Sequence, residues 1–159
     1  MPIDPATQDA KVYEALHLGF RVEKAAGASV ATGETSLFTI TGGRVLLTQI
    51  VGEVTVVIQT QATNLKVVYD PADPPSAGAD TDLCAVLDIT ADAVGTLYGI
   101  TGTVADALIE GIGRVLAQHT PHILSEGAIH QNSSAASTGG IKWTIWYIPL
   151  DDGASVAAA

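Results

Sequence analysis

The pattern of apolar and polar positions changes once along the chain. Residues 1–33 contain PATQDAKVYEALHLGFRVEKAAGASVATGE, where Val12, Leu16 and Phe20, with Tyr13, recur at steps of three and four. That spacing predicts a short helix or extended arm. Gly19, Gly27 and Gly33 limit its length, and the small residues of 25–33 read as a linker. From Ser36 the period shortens to two. SLFTIT (36–41) ends at Gly42-Gly43, a turn signal, and RVLLTQIV (44–51) comes directly after it. Gly52 and Glu53 interrupt, and VTVVIQT (54–60) and TNLKVVYD (63–70) come next, the latter with Leu65, Val67 and Tyr69 on one face.

DLCAVLDIT (82–90) alternates Leu83, Ala85, Leu87 and Ile89 against Asp82, Cys84, Val86 and Asp88, the mark of a half-buried strand. TLYGITG (96–102), RVLAQ (114–118), HIL (122–124) and AIHQNSSAAS (128–137) are further strand candidates, and VADALIEG (104–111) fits a helical turn. IKWTIWYI (141–148) puts Ile141, Trp143, Ile145 and Tyr147 on one face and Trp146 and Ile148 on the other. LDDGASVAAA reads as a loosely bound tail. The sum is an all-β domain, an antiparallel β-sandwich or barrel of jelly-roll-like type, with a short N-terminal helical or extended arm. The predicted organisation is arm and linker at 1–33, β-domain at 34–151 and flexible tail at 152–159.

Composition narrows the function classes. With 159 residues the chain can bury a core without disulfides or metals. The net charge is −10, and Lys11, Arg21, Lys24, Arg44, Lys66, Arg114 and Lys142 form no basic stripe, which argues against nucleic-acid binding. Charged residues make up only 15%, so much of the surface is uncharged. Within 42–69 the apolar runs VLL, IV and VVI fall far short of the ~20 residues that a membrane helix needs. MPIDPATQDAK has no apolar core of a secretory signal, so synthesis in a cytoplasm is expected.

Candidate chemistry is thin. Cys84 has apolar neighbours and reads as a buried hydrophobe. His119 and His122 would point to opposite faces of a strand, with Pro121 between them. Asp70, Asp73, Asp80 and Asp82 lie in or beside a Pro-rich loop without EF-hand spacing. Gly111-Ile112-Gly113 lacks the third glycine of a dinucleotide loop, with Leu116 in its place. Ser125, Ser133 and Ser134 with His130 and Asp106 could be drawn as a triad, yet no G-x-S-x-G elbow exists. The expectation is a protein without enzymatic activity, cofactor or metal.

Three stretches carry a resemblance. SLFTITGGRVLLTQIVGEVT, then TDLCAVLDITADAVGTLYGITG, then STGGIKWTIWYIPLDDGASV resemble, in that order, small proteins encoded in the head-gene region of tailed bacteriophages. The shared pattern is a strand ending in TGG, a Val/Leu strand with G-E-V, an LC-A-x-LDI strand, an LYGITG turn and a closing segment with PLDDGA, over about residues 34–156. The resemblance implies a virion structural protein, a minor capsid, decoration or cement protein on the outer capsid surface. Its implied partners are the major capsid protein and itself, as a homotrimer. Val12, Tyr13, Leu16 and Phe20 are then candidates for docking on the capsid or a neighbouring subunit, and Trp146 and Ile148 for the subunit interface. The rival reading is a receptor- or glycan-binding β-module of a head fibre or tail, and a third is a ring-forming tail or connector component.

Overall fold

A computed structural model describes residues 11–12, 14–72 and 79–159. Residues 11, 12 and 14–17 are helical, and the described residues after them form strands joined by turns, bends and loops. The strands are β1 (Phe20–Lys24), β2 (Ser29–Val30), β3 (Gly33–Thr41), β4 (Val45–Val56), β5 (Asn64–Pro71), β6 (Thr81–Asp82) and β7 (Leu87–Asp88). They continue with β8 (Thr96–Gly99), β9 (Ile109–Ile112), β10 (His122–Leu124), β11 (Gly127–Ser133), β12 (Ser137–Thr138), β13 (Gly140–Pro149) and β14 (Ser155–Ala158).

Among the described residues they form two six-stranded sheets and a small ribbon. The first sheet runs β1-β13-β4-β8-β9, with β10 also on β4. The second runs β14-β3-β11-β5-β6, with β7 also on β5, and β12 pairs β2. All these strand pairings are antiparallel. The chain is an all-β sandwich, and the sheets do not close into a barrel.

The core lies between the sheets. β13 contributes Ile141, Trp143, Ile145 and Tyr147, all buried, as its alternation predicts. β4 behaves less simply. Val45 and Leu47 face inward at odd positions, then Ile50 and Val54 at even ones. The switch falls at Thr48, where the register against β13 slips between Trp146 and Tyr147. An extra residue in one strand of a pair reverses the parity of every later position in that strand.

Gly52 does not interrupt β4 as its place in the sequence suggests. It stands opposite Trp143, and a Cβ there would come within 2.9 Å of the indole. The glycine leaves room for the ring, and the strands expected at 44–51 and 54–60 are one strand through Val56.

Both termini correct the expected organisation. The arm stops before residue 20: β1 is an edge strand of the first sheet, and β2 sits inside the supposed linker. The supposed tail is β14, paired to β3, with Ala154 and Val156 buried. Small side chains resemble a disordered tail in composition, yet here they fit a pleated edge. Residues 82–90 are not one strand, because Leu83 and Cys84 are both buried at a bend between β6 and β7. Residues 114–118 carry no strand. Of the helical turn expected at 104–111, only a tight turn closed by Asp106 N–H on Thr103 O forms, and 109–112 is β9.

The TGG and PLDDGA segments meet. A Cβ on Gly42 would collide with Gly153 O, and one on Gly43 would lie 2.7 Å from Asp151 Cβ. Both glycines hold positive φ, which a side chain would oppose as well. Arg44 donates Nε and Nη2 to Asp151 at 2.9 and 2.8 Å, and its backbone N–H donates to the same carboxylate at 2.7 Å. This fork holds the Asp151 carboxyl well below the usual carboxylate range.

Candidate interaction surface

Gly19 sets the path from the N-terminal helix into β1. Leu18 and Gly19 N–H close the helix on Glu14 O at 2.8 and 3.2 Å. Gly19 holds φ +88°, and a Cβ there would collide with Tyr147 O. Only glycine lets the helix end press against β13. The bulged Thr48 reaches the same point, donating its hydroxyl to Leu18 O.

The helix lies over the outer face of the first sheet. Trp146 Nε1 donates to Glu14 Oε1, and the Arg21 guanidinium sits 5.9 Å from the Trp146 ring centroid. A polar residue of the helix therefore meets the body. The apolar residues do the reverse: Val12 is 55% exposed, Leu16 71% and Phe20 60%. Phe20 touches the Tyr147 ring at 5.9 Å between centroids, and much of its ring stays open. Tyr13 lies outside the described residues. Ile148 is half-buried on the Trp146 face. The structure thus brings Trp146 together with the segment carrying Val12, Leu16 and Phe20. The sequence did not single out Glu14 or Arg21, although Glu14 follows Val12 by two positions and so falls on another helix face.

The residues proposed for chemistry are dispersed. Among the described residues no three His, Cys, Asp or Glu side chains are grouped to hold a metal. His119 is exposed in a loop, while His122 lies half-buried on β10, where burial lowers its pKa. Asp82 is paired to Lys66 at 2.6 Å, and Asp73 lies outside the described residues. Gly111 and Ile112 end β9, and Gly113 N–H donates to Gly95 O at 3.0 Å.

Burial pushes the Cys84 thiol up to about 11, and its sulfur accepts from Val67 N–H at 3.3 Å. That environment suppresses the thiolate. Ser125 bonds Tyr69, Ser133 bonds Ala135 O, Ser134 caps Asn64 N–H and Asp106 accepts from Thr101. These groups serve separate local structures. A cleft of about 430 Å³ is lined by Leu87, Leu108, Ile109, Leu116, Glu110 and Arg114 among others, with no Ser, Cys or His in its wall. Near it, Tyr98 donates its hydroxyl to Asp92, while burial and then Asp92 raise the Glu110 pKa.

No family model, curated protein or solved structure matches this chain. The functional reading therefore rests on the surface and on the resemblance of the three stretches.

Proposed function

We propose that the chain is a virion structural protein, a minor capsid or decoration protein that binds the outer surface of a phage head as an oligomer and stabilises capsomer contacts. The observation that carries the proposal is the inverted N-terminal helix. It is tied to the body through Glu14, Gly19 and Trp146 while Val12 and Leu16 face outward, and Phe20, the first residue of β1, keeps much of its ring open. A surface helix ordinarily turns its apolar stripe toward its own core. A stripe held outward suits docking in a groove of a partner, here the major capsid protein. Several such helices in one oligomer would add avidity at a repeating shell surface.

The glycan-binding rival draws less support. Trp143 is fully buried, and Trp146 is occupied by Glu14 and Arg21, so neither ring is free for stacking on a sugar.

The test is co-sedimentation of the full chain with expanded capsids. Val12→Ser with Leu16→Ser is expected to abolish binding while the β-sandwich CD signal stays intact. Undiminished binding of that variant would remove the helix from the mechanism, and no binding by the native chain would end the proposal.

A further inference from the structure

A cavity of about 350 Å³ opens between the two sheets, beside residues 25–27, which lead from β1 to β2. Leu37 of β3 and Ile141 of β13 give it an apolar wall, and Lys24, Ser29, Thr35 and Gln131 give it polar groups. Ligand sites of small size have this character: a concave apolar surface with a few placed polar side chains.

Gln131 is the side chain that the fold leaves half satisfied. It is 6% exposed, and its Oε1 accepts the Trp143 indole N–H at 2.9 Å. An indole nitrogen only donates, so this bond fixes which end of the amide is oxygen and which is nitrogen. Nε2 then carries two N–H groups that meet no acceptor among the described residues. Buried donors are ordinarily paired. Nε2 is not one of the unpaired side-chain atoms sealed inside the protein, so it opens into the cavity that Gln131 lines.

The remaining polar groups can donate as well. The Ser29 and Thr35 hydroxyls bond nothing among the described residues. Lys24 donates one ammonium N–H to Ala159 O, just past β14, and keeps the other two. No Asp or Glu lines the cavity, although the chain has 17 of them against seven Lys and Arg. Free donors beside one held cation favour an acceptor that carries negative charge. The apolar wall favours a hydrocarbon body, which an inorganic anion lacks.

We infer that this cavity binds a small ionised carboxylic acid, its oxygens on the side of Gln131 Nε2 and Lys24 and its short apolar body against Leu37 and Ile141. The site needs no capsid and does not involve the N-terminal helix, so it stands apart from the proposed shell binding.

The experiment is heteronuclear NMR of the full chain, titrated at constant ionic strength with isocaproate, a short branched carboxylate. The two indole N–H signals, distinguished by Trp146→Phe, report opposite faces of β13. The Trp143 signal and the Gln131 side-chain amide should shift saturably, with a dissociation constant on the order of 1 mM, as suits so few ligand atoms. The Trp146 signal should stay in place. Isocaproamide has the same shape without the charge and should bind roughly tenfold more weakly. Lys24→Gln should weaken isocaproate severalfold and leave isocaproamide unchanged. Thr35→Leu fills the cavity and should abolish both, with unchanged β13 amide signals showing that the variant is folded. No saturable shift, equal affinity for the two probes, isocaproate binding indifferent to Lys24→Gln, or a Trp146 signal that moves in step with Trp143 would each overturn the inference.

Discussion

Trp143 and Trp146 stand three positions apart on β13 and do opposite work. Trp143 faces the second sheet. It is fully buried, lies over Gly52, stacks on Tyr98 at 6.4 Å between centroids and donates Nε1 to Gln131 at 2.9 Å. Every one of these contacts is a fixed partner from another strand. Trp146 faces outward, with Glu14 on its nitrogen and Arg21 over its ring. Its partners come from the N-terminal segment. One indole organises the core, and the other fastens a surface element to it. Burial and partner origin, rather than residue type, decide what each contributes.

Removal of each ring should separate the two roles. Trp143→Ala leaves a cavity between the sheets and orphans the Gln131 side chain, at a cost of about 3–5 kcal/mol. Chemical denaturation measures it, and a loss under about 1 kcal/mol would mean that the neighbours collapse into the space. Cys84 offers a second readout. Its thiol is held up to about 11, so alkylation at neutral pH must await opening of the core. Labelling should accelerate strongly in Trp143→Ala and stay at the native rate in Trp146→Ala.

Gly52 sharpens the same point from the opposite strand. Adding one methyl drives a Cβ to 2.9 Å from the indole, where the neighbour is a rigid buried ring. Gly52→Ala should cost about 1–3 kcal/mol, against a gain for an ordinary strand glycine. A double variant Gly52→Ala with Trp143→Leu should lose less than the sum, since the clash is gone. Strict additivity would show that Gly52 serves some other need. Gln131→Leu is the milder lesion: it leaves the Trp143 N–H buried without its acceptor, about 1–2 kcal/mol.

The inner face of β13 is legible because Ile141, Trp143, Ile145 and Tyr147 recur at every second position. The all-β architecture emerges from the same period elsewhere. Gly52 is not legible as mid-strand, since a glycine beside a charge is also the mark of a turn, and only the ring opposite explains it. The bulge at Thr48 hides the inward face of β4, because it shifts parity halfway along. β14 is invisible to periodicity because Ala and Ser carry none, and its order comes from pairing with β3. For the candidate surface, Val12 and Leu16 are visible as helical spacing, while Phe20, which the same spacing takes in, begins β1 instead. The direction in which Val12 and Leu16 face is not visible. Helical spacing says that residues share a side, and only the Glu14–Trp146 contact shows that the side is the outer one. The Gly42-Gly43 turn is plain in the sequence, while its docking on Asp151 and Gly153 joins segments too distant along the chain to be linked by pattern.

The smallest effects fall on the outer ring, and there stability is the wrong quantity to watch. Trp146→Ala removes one hydrogen bond and one cation–ring contact at a half-buried site, about 1 kcal/mol of global stability. Glu14→Gln keeps an acceptor oxygen and discards only its charge, so less than about 0.5 kcal/mol is expected. Among the described residues, Val12 and Leu16 face away from the body, and Thr48 on Leu18 O holds the end of the helix beside Trp146. Losing Trp146 should therefore release the segment before Gly19 without disturbing β13. Trypsin cleavage after Lys11, timed on the folded protein, should speed up markedly in Trp146→Ala and slightly in Glu14→Gln. The denaturation midpoint should barely move in either. A midpoint that falls as far as in Trp143→Ala would place Trp146 in the core's cooperative unit, and the division between the two rings would fail.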